Sequence, residues 1–303
     1  MKKIFLLIII IVLVVSFSGC GREPENVAES NEMTIYTSFY PMYFLASEIA
    51  GDKAKVISLV PAGVEPHDWE PKPRTVAELQ KSEMFIYNGA GMETWVEGIL
   101  PTLQKTGIRI VDASKGIELL SNNEKNETNL IYDPHVWVSP AKYKQQAENI
   151  FEEISTLDAA NKDYYRANYE KLAKELDKLD SDYRQAAAGF KSKVFIVSHS
   201  AFGYLAAEYG LTQLAIRGVS PEAEPSPAKL AELTEICRKN NIKYIFFESL
   251  ISPKLSQTLA DEVGAEVLVL NDGQGISEED IKQGKNYITI MYDNLENLEK
   301  ALR

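Results

Sequence analysis

The stretch Lys193-Val-Phe-Ile-Val-Ser-His-Ser200 carries more information than any other of its length in this chain. Val194 to Val197 are apolar and rich in β-branched and aromatic side chains, the composition of a parallel strand buried on both faces. His199 stands just past it, and Ala201-Phe-Gly-Tyr-Leu-Ala-Ala-Glu-Tyr-Gly210 then reads as a helix stopped by glycine. Open α/β sheets gather their ligands at the carboxyl ends of strands. His199 occupies such an end, and the other two histidines of the chain, His67 and His135, lie in comparable places.

Outward from that unit, strand and helix alternate. Met33–Ser38, Lys55–Val60, Met84–Tyr87 and Ile108–Asp112 read as strands. Between and after them, Tyr40–Ala50, Thr75–Lys81 (with Thr75 as N-cap), Glu93–Lys105 and Ala141–Leu157 read as helices. In the second half the strands are Val194–Val197, Gln213–Ile216, Tyr244–Phe247 and Glu266–Leu270. The helices there are Ala201–Tyr209, Pro227–Lys239, Pro253–Val263 and Glu278–Leu302, the last opening on Ser277-Glu-Glu-Asp280. Alternation of this kind predicts α/β architecture: two lobes, each a four-stranded, mostly parallel sheet with flanking helices. From Ala159 to Ala188 the helical pattern meets no Gly or Pro, and Tyr165, Tyr169, Leu172, Leu176, Leu179 and Tyr183 form one apolar stripe. A helix of roughly 40–45 Å is implied, long enough to join two lobes. The expected division is residues 33–157 for the first lobe, 158–189 for the linking helix and 190–303 for the second.

The 303 residues suit about two domains. A net charge of −12 argues against a nucleic-acid partner. Lys2 and Lys3 precede an apolar run from Ile4 to Val15 and then Ser16-Phe-Ser-Gly-Cys20, the pattern of a secretory signal over residues 1–19. Residues 20–32 are polar and acidic and read as a flexible tether. Cys237 falls on the apolar phase of a helix and reads as a small buried hydrophobe.

Each histidine lies at a strand end or in a proline-braced loop: His67 in Val64-Glu-Pro-His-Asp-Trp-Glu-Pro71, His135 in Asp133-Pro-His-Val-Trp-Val-Ser-Pro140. Asp272, in Leu270-Asn-Asp-Gly-Gln-Gly275, ends the last strand on the edge that holds His199. No His-x-x-x-His spacing is present, and a lone loop histidine is ordinarily a polar surface residue. Context gives the signal its strength, since none of the three decorates a helix face. Three imidazoles and one carboxylate suit Zn²⁺; Mn²⁺ favours more oxygen donors.

The loops around His67 and His135, the segment Ser198–Gly210, and Arg217-Gly-Val-Ser-Pro-Glu-Ala-Glu-Pro-Ser226 resemble the metal-binding lipoproteins of zinc and manganese ABC importers, the cluster A-I solute-binding proteins. The resemblance runs from about Met33 to Arg303. It implies two Rossmann-like lobes joined by one long helix, a metal between them, and His67, His135 and His199 as ligands. His199, where manganese members tend to carry Glu, favours zinc, with Mn²⁺ or iron as the alternative cargo. Asp272 matches the fourth ligand of some members; Gln274 or water are the alternatives. Ser18-Gly19-Cys20 resembles a lipobox, with Phe17 as a departure, and implies lipidation of Cys20 and a membrane anchor. Segment Ser121–Asn129 lacks the histidines of the metal-scavenging loop of many zinc members. The expected function is an extracytoplasmic, monomeric zinc receptor serving an ABC permease, not an enzyme. A zinc hydrolase and a surface adhesin are the competing readings. Glu222 and Glu224 are expected in a solvated acidic loop, and Trp69 and Trp137 to pack and orient the loops that carry them.

Overall fold

The structure, a computed structural model, describes residues 33–122, 130–222 and 224–303. The signal at 1–19, Cys20, the tether at 20–32 and most of Ser121–Asn129 lie outside the described residues.

The first half builds one parallel sheet in the order β2-β1-β3-β4, from β1 (Met33–Thr37), β2 (Ala54–Ser58), β3 (Met84–Tyr87) and β4 (Arg109–Asp112). Helices α1 (Tyr40–Ala50), α2 (Pro73–Leu79), α3 (Val96–Leu103) and α4 (Pro140–Leu157) go with it. Local signals explain several boundaries. Ser139 Oγ accepts from the Lys142 N–H, and Pro140 follows at the first helical position, so α4 starts there. Proline at the first position also starts α2, at Pro73, which leaves Thr75 inside the helix instead of capping it. Glu93 does not open α3, because its buried carboxylate accepts the N–H groups of Asn88 (2.7 Å) and Gly89 (3.1 Å).

A 3₁₀ turn (Ala159–Asn161) leads into α5 (Lys162–Ala188), whose 27 residues give about 40 Å. Tyr165, Leu172, Leu176, Leu179 and Tyr183 are buried along one stripe. Each such leucine contributes about 1.5–3 kcal/mol of transfer free energy. Helix α5 packs on α1 and α4 of the first half. On the second half it packs on α6 (Gly203–Tyr209) and α10 (Tyr287–Leu302), where the Tyr183 hydroxyl donates to the Met291 carbonyl at 2.6 Å. The main apolar core is continuous through it, from Ile35 and Met42 to Phe195, Val197 and Leu298.

The second half contains β5 (Val194–Val197), β6 (Thr212–Ala215), β7 (Tyr244–Phe247) and β8 (Glu266–Val269), with α7 (Pro227–Lys239) and α8 (Lys254–Val263) between them. All pairings are parallel, but the strands hydrogen-bond as two pairs, β5–β6 and β7–β8, and not as one four-stranded ladder. The pairs lie side by side, with Phe195 of β5 edge-on to Phe246 of β7 at 6.3 Å. The single C-terminal helix expected over Glu278–Leu302 is two helices, α9 (Glu278–Lys282) and α10. Gly284 adopts φ +72°, a left-handed turn that halts α9. Asn286 and Thr289 then form a reciprocal capping box that restarts the chain as α10.

Candidate metal centre

Each candidate side chain is delivered by a loop leaving a strand at its carboxyl end. After β2, the Leu59 and Val60 N–H groups still bond to Thr37 and Ser38, and the His67 N–H then donates to Glu65 Oε2 at 3.0 Å. The same loop is tied to the second half, where the Ile276 carbonyl accepts the Gly63 N–H at 2.9 Å. His135 is braced twice. Asp133 Oδ1 accepts its backbone N–H (3.0 Å) and its Nδ1–H (2.8 Å), and Asn88 Nδ2 donates to the preceding Pro134 carbonyl at 3.0 Å. His199 leaves β5 after Ser198, and Glu248, the first residue after β7, brings Oε1 to 3.1 Å from its Nδ1. Asp272 follows β8; its Oδ1 accepts the Gln274 N–H, and its Oδ2 lies 3.7 Å from His199 Nε2.

The three imidazoles converge. One nitrogen from each of His67, His135 and His199 lies within 4.8 Å of the others, and ring centroids are 5.2–6.0 Å apart. His67 Nε2 and His135 Nε2 are 3.2 Å apart. Two nitrogens on a tetrahedral zinc at 2.0–2.1 Å are separated by about 3.3 Å, so this spacing already fits one shared ion. His135 and His199 are fully closed to solvent, and Asp272 and Glu248 retain 1% exposure. Asp133 takes the Nδ1 side of His135 by a hydrogen bond, which leaves His135 Nε2 facing His67, and Glu248 lies beside Nδ1 of His199, whose Nε2 faces Asp272; carboxylates placed in this way orient metal-binding imidazoles.

The electrostatics suit a cation. Burial, reinforced by neighbouring His135 and His199, holds the His67 imidazole well below the usual range, so it stays neutral. For His199 burial pulls downward, but Glu248, Asp272 and Glu65 outweigh it and raise its proton affinity. Burial raises Asp272 and pushes the Glu65 carboxyl up to about 7. His199 Nε2, Asp272 Oδ2 and both amide atoms of Gln274 are buried without a hydrogen-bond partner among the described residues. Buried polar atoms in such number call for a common partner, and a dication against the Asp272 and Glu248 carboxylates would balance the charge.

All four residues singled out from the sequence therefore meet at one place, with Gln274 beside them. Glu222 also approaches, lying with Glu65 and Asp68 in an acidic group that is exposed at Asp68 and Glu222; Glu224 is exposed. Trp69 packs edge-on to Trp95 at 5.6 Å and Trp137 is fully buried beside His135, so both brace their loops. The sequence reading missed Asp133 and Glu248. Asp133 was visible in Asp-Pro-His, and Glu248 could have been found by the strand-end rule applied to β7.

A two-part α/β fold with buried imidazoles closing on a point between strand ends defines a metal-binding protein of the solute-receptor class. Residues 35–301 match the family described as zinc-uptake complex component A, periplasmic, and the chain belongs to that family. It is 39% identical over 308 aligned residues to the high-affinity zinc uptake system protein ZnuA of Bacillus subtilis, covering 99% of this chain and 97% of that one. It is 38% identical to the zinc-binding lipoprotein AdcA of Streptococcus pneumoniae, of whose greater length it spans 61%. The crystal structure of the Zn(II)-bound ZnuA-like domain of that AdcA superposes with a TM-score of 0.80 at 40% identity, covering 89% of this chain and 99% of the domain.

Proposed function

We propose that this protein is an extracytoplasmic, high-affinity Zn²⁺ receptor that hands its ion to an ABC permease, with His67, His135, His199 and Asp272 as the ligands. The convergence of one ring nitrogen from each of three histidines within 4.8 Å, with His67 Nε2 and His135 Nε2 only 3.2 Å apart, carries the proposal. Asp272 Oδ2, 3.7 Å from His199 Nε2, supports a carboxylate as fourth donor; Gln274, whose amide atoms are likewise buried without a partner, and water are the alternatives. Three nitrogens and one oxygen favour zinc over manganese.

The chain divides into a first lobe at 33–157, a linking helix at 158–189 and a second lobe at 190–303. Ligands come from both lobes, and the core runs continuously through α5. Ion uptake and release accordingly involve a small adjustment of loops, not a wide hinge. The receptor is a monomer held at the membrane by lipid on Cys20; Ser18-Gly19-Cys20 supports the anchor. Equilibrium dialysis of the signal-free protein, with elemental analysis, tests the assignment. Wild type takes up one zinc, and His67→Ala, His135→Ala and His199→Ala each lose it. Undiminished binding by all three variants would falsify the proposal.

A further inference from the structure

The loop carrying Asp272 is held by α10 and by turns within the loop itself. The Asn294 side chain of α10 accepts the Asn271 N–H at 2.8 Å and donates to the Asn271 carbonyl at 2.6 Å. Asn271 Oδ1 accepts the Gly273 N–H at 2.9 Å, and Asp272 Oδ1 accepts the Gln274 N–H at 3.1 Å. One further restraint comes from the other half: the indole Nε1–H of Trp137 donates to the Asp272 carbonyl at 2.7 Å, across 135 residues of sequence. Trp137 is fully buried, its ring centroid is 5.2 Å from that of His135, and Phe39 packs edge-on against it at 5.0 Å. Its own carbonyl accepts the Tyr287 hydroxyl at 2.6 Å. The indole thus has no freedom to follow a moving Asp272, and the bond forms only when the two loops stand at one separation.

We infer that Trp137 is a positioning residue for the ion site: a strut that fixes the Asp272 backbone relative to His135 and so sets how long the ion is retained. This rests on Asp272 and His135 being ligands, as proposed above. With Asp272 Oδ1 and carbonyl both engaged, only Oδ2 is left to face His199. Losing the indole donor frees the carbonyl, lets the peptide rotate and moves Oδ2 off the ion. Residues that orient a ligand in this way are typically worth about 10- to 100-fold in metal affinity.

The test is a mutant cycle read by chelator competition and stopped-flow zinc release, using Trp137→Phe, Asp272→Ala and the double variant. Phe keeps a ring and removes the donor. The expected result is zinc affinity about 10- to 100-fold weaker in Trp137→Phe, chiefly through faster release. The double variant should bind no more weakly than Asp272→Ala alone, because Trp137 acts through Asp272. A merely structural role would instead make the two losses add, and wild-type affinity in Trp137→Phe would equally overturn the inference. Should Trp137→Phe fail to fold, Tyr287→Phe loosens the same strut from behind, and the same cycle with Asp272→Ala decides. Zinc binding that survives all three histidine substitutions would instead sink the site itself, so the two failures are distinguishable.

Discussion

Glu248 Oε1 lies 3.1 Å from His199 Nδ1, and both side chains are closed to solvent. The carboxylate stands behind the imidazole, on the side away from the Nε2 that faces Asp272 Oδ2 at 3.7 Å. Glu248→Gln keeps the shape but removes the charge, while Glu248→Ala removes the brace. Zinc affinity should fall by about 10- to 100-fold in the alanine variant and by less in the glutamine variant. Chelator competition measures both; equal, unchanged affinities would show that His199 needs no carboxylate behind it.

Acid should release the ion, and His199 sets where. Its proton affinity is raised by the surrounding carboxylates against the pull of burial, so in the ion-free protein it protonates early as pH falls. That proton must leave for Nε2 to bind metal. Affinity therefore decreases with falling pH, by up to about tenfold per unit for one displaced proton. Burial, with His135 and His199 beside it, lowers the His67 imidazole instead, so it protonates after His199 as pH falls. Zinc titrations near pH 7.5 and 5.5 should differ by at least about tenfold. Calorimetry in buffers of different ionisation enthalpy should show proton release at the lower pH.

Gly203 opens α6 directly against Asp133, the residue that orients His135. A Cβ there would stand 2.5 Å from Asp133 Oδ2, and that carboxylate cannot retreat without loosening His135 Nδ1 at 2.8 Å. Gly203→Ala should weaken zinc binding by about tenfold while removing no polar group. Far-ultraviolet circular dichroism, unchanged, would confirm that the fold survives; unchanged affinity would mean that Asp133 can shift freely.

Leu176 sits at the centre of the α5 stripe with no exposed surface. Leu176→Ala should cost about 2–5 kcal/mol of stability, since packed helices on both sides prevent collapse into the cavity. Urea unfolding followed by tryptophan fluorescence gives the value. A loss below about 1 kcal/mol would place that stripe outside the shared core.

Much of this architecture is legible in the sequence because it is encoded locally. The apolar run at Val194–Val197, the prolines around His67 and His135 and the unbroken pattern up to Ala188 each point to one local structure. Asp272 stands out as a candidate because it ends a recognisable strand. What stayed hidden depends on partners distant in the chain. The end of β7 marks Glu248 as a candidate but does not name His199 as its neighbour, and nothing near Trp137 announces the Asp272 carbonyl. The break between α9 and α10 escaped because the acidic first turn at Glu278 looked like the start of one long helix. The competing signal, Gly284 followed by the Asn286–Thr289 cap, is equally local.

His67 and His135 precede the long helix and His199 follows it. A nascent or truncated polypeptide ending before that point owns two of the three imidazoles and has nothing to close over them. On the ligand set proposed above, tight possession of the ion therefore requires chain from both sides of that helix, and a saturated zinc signal doubles as a certificate that the polypeptide has been made and folded at least through Asp272.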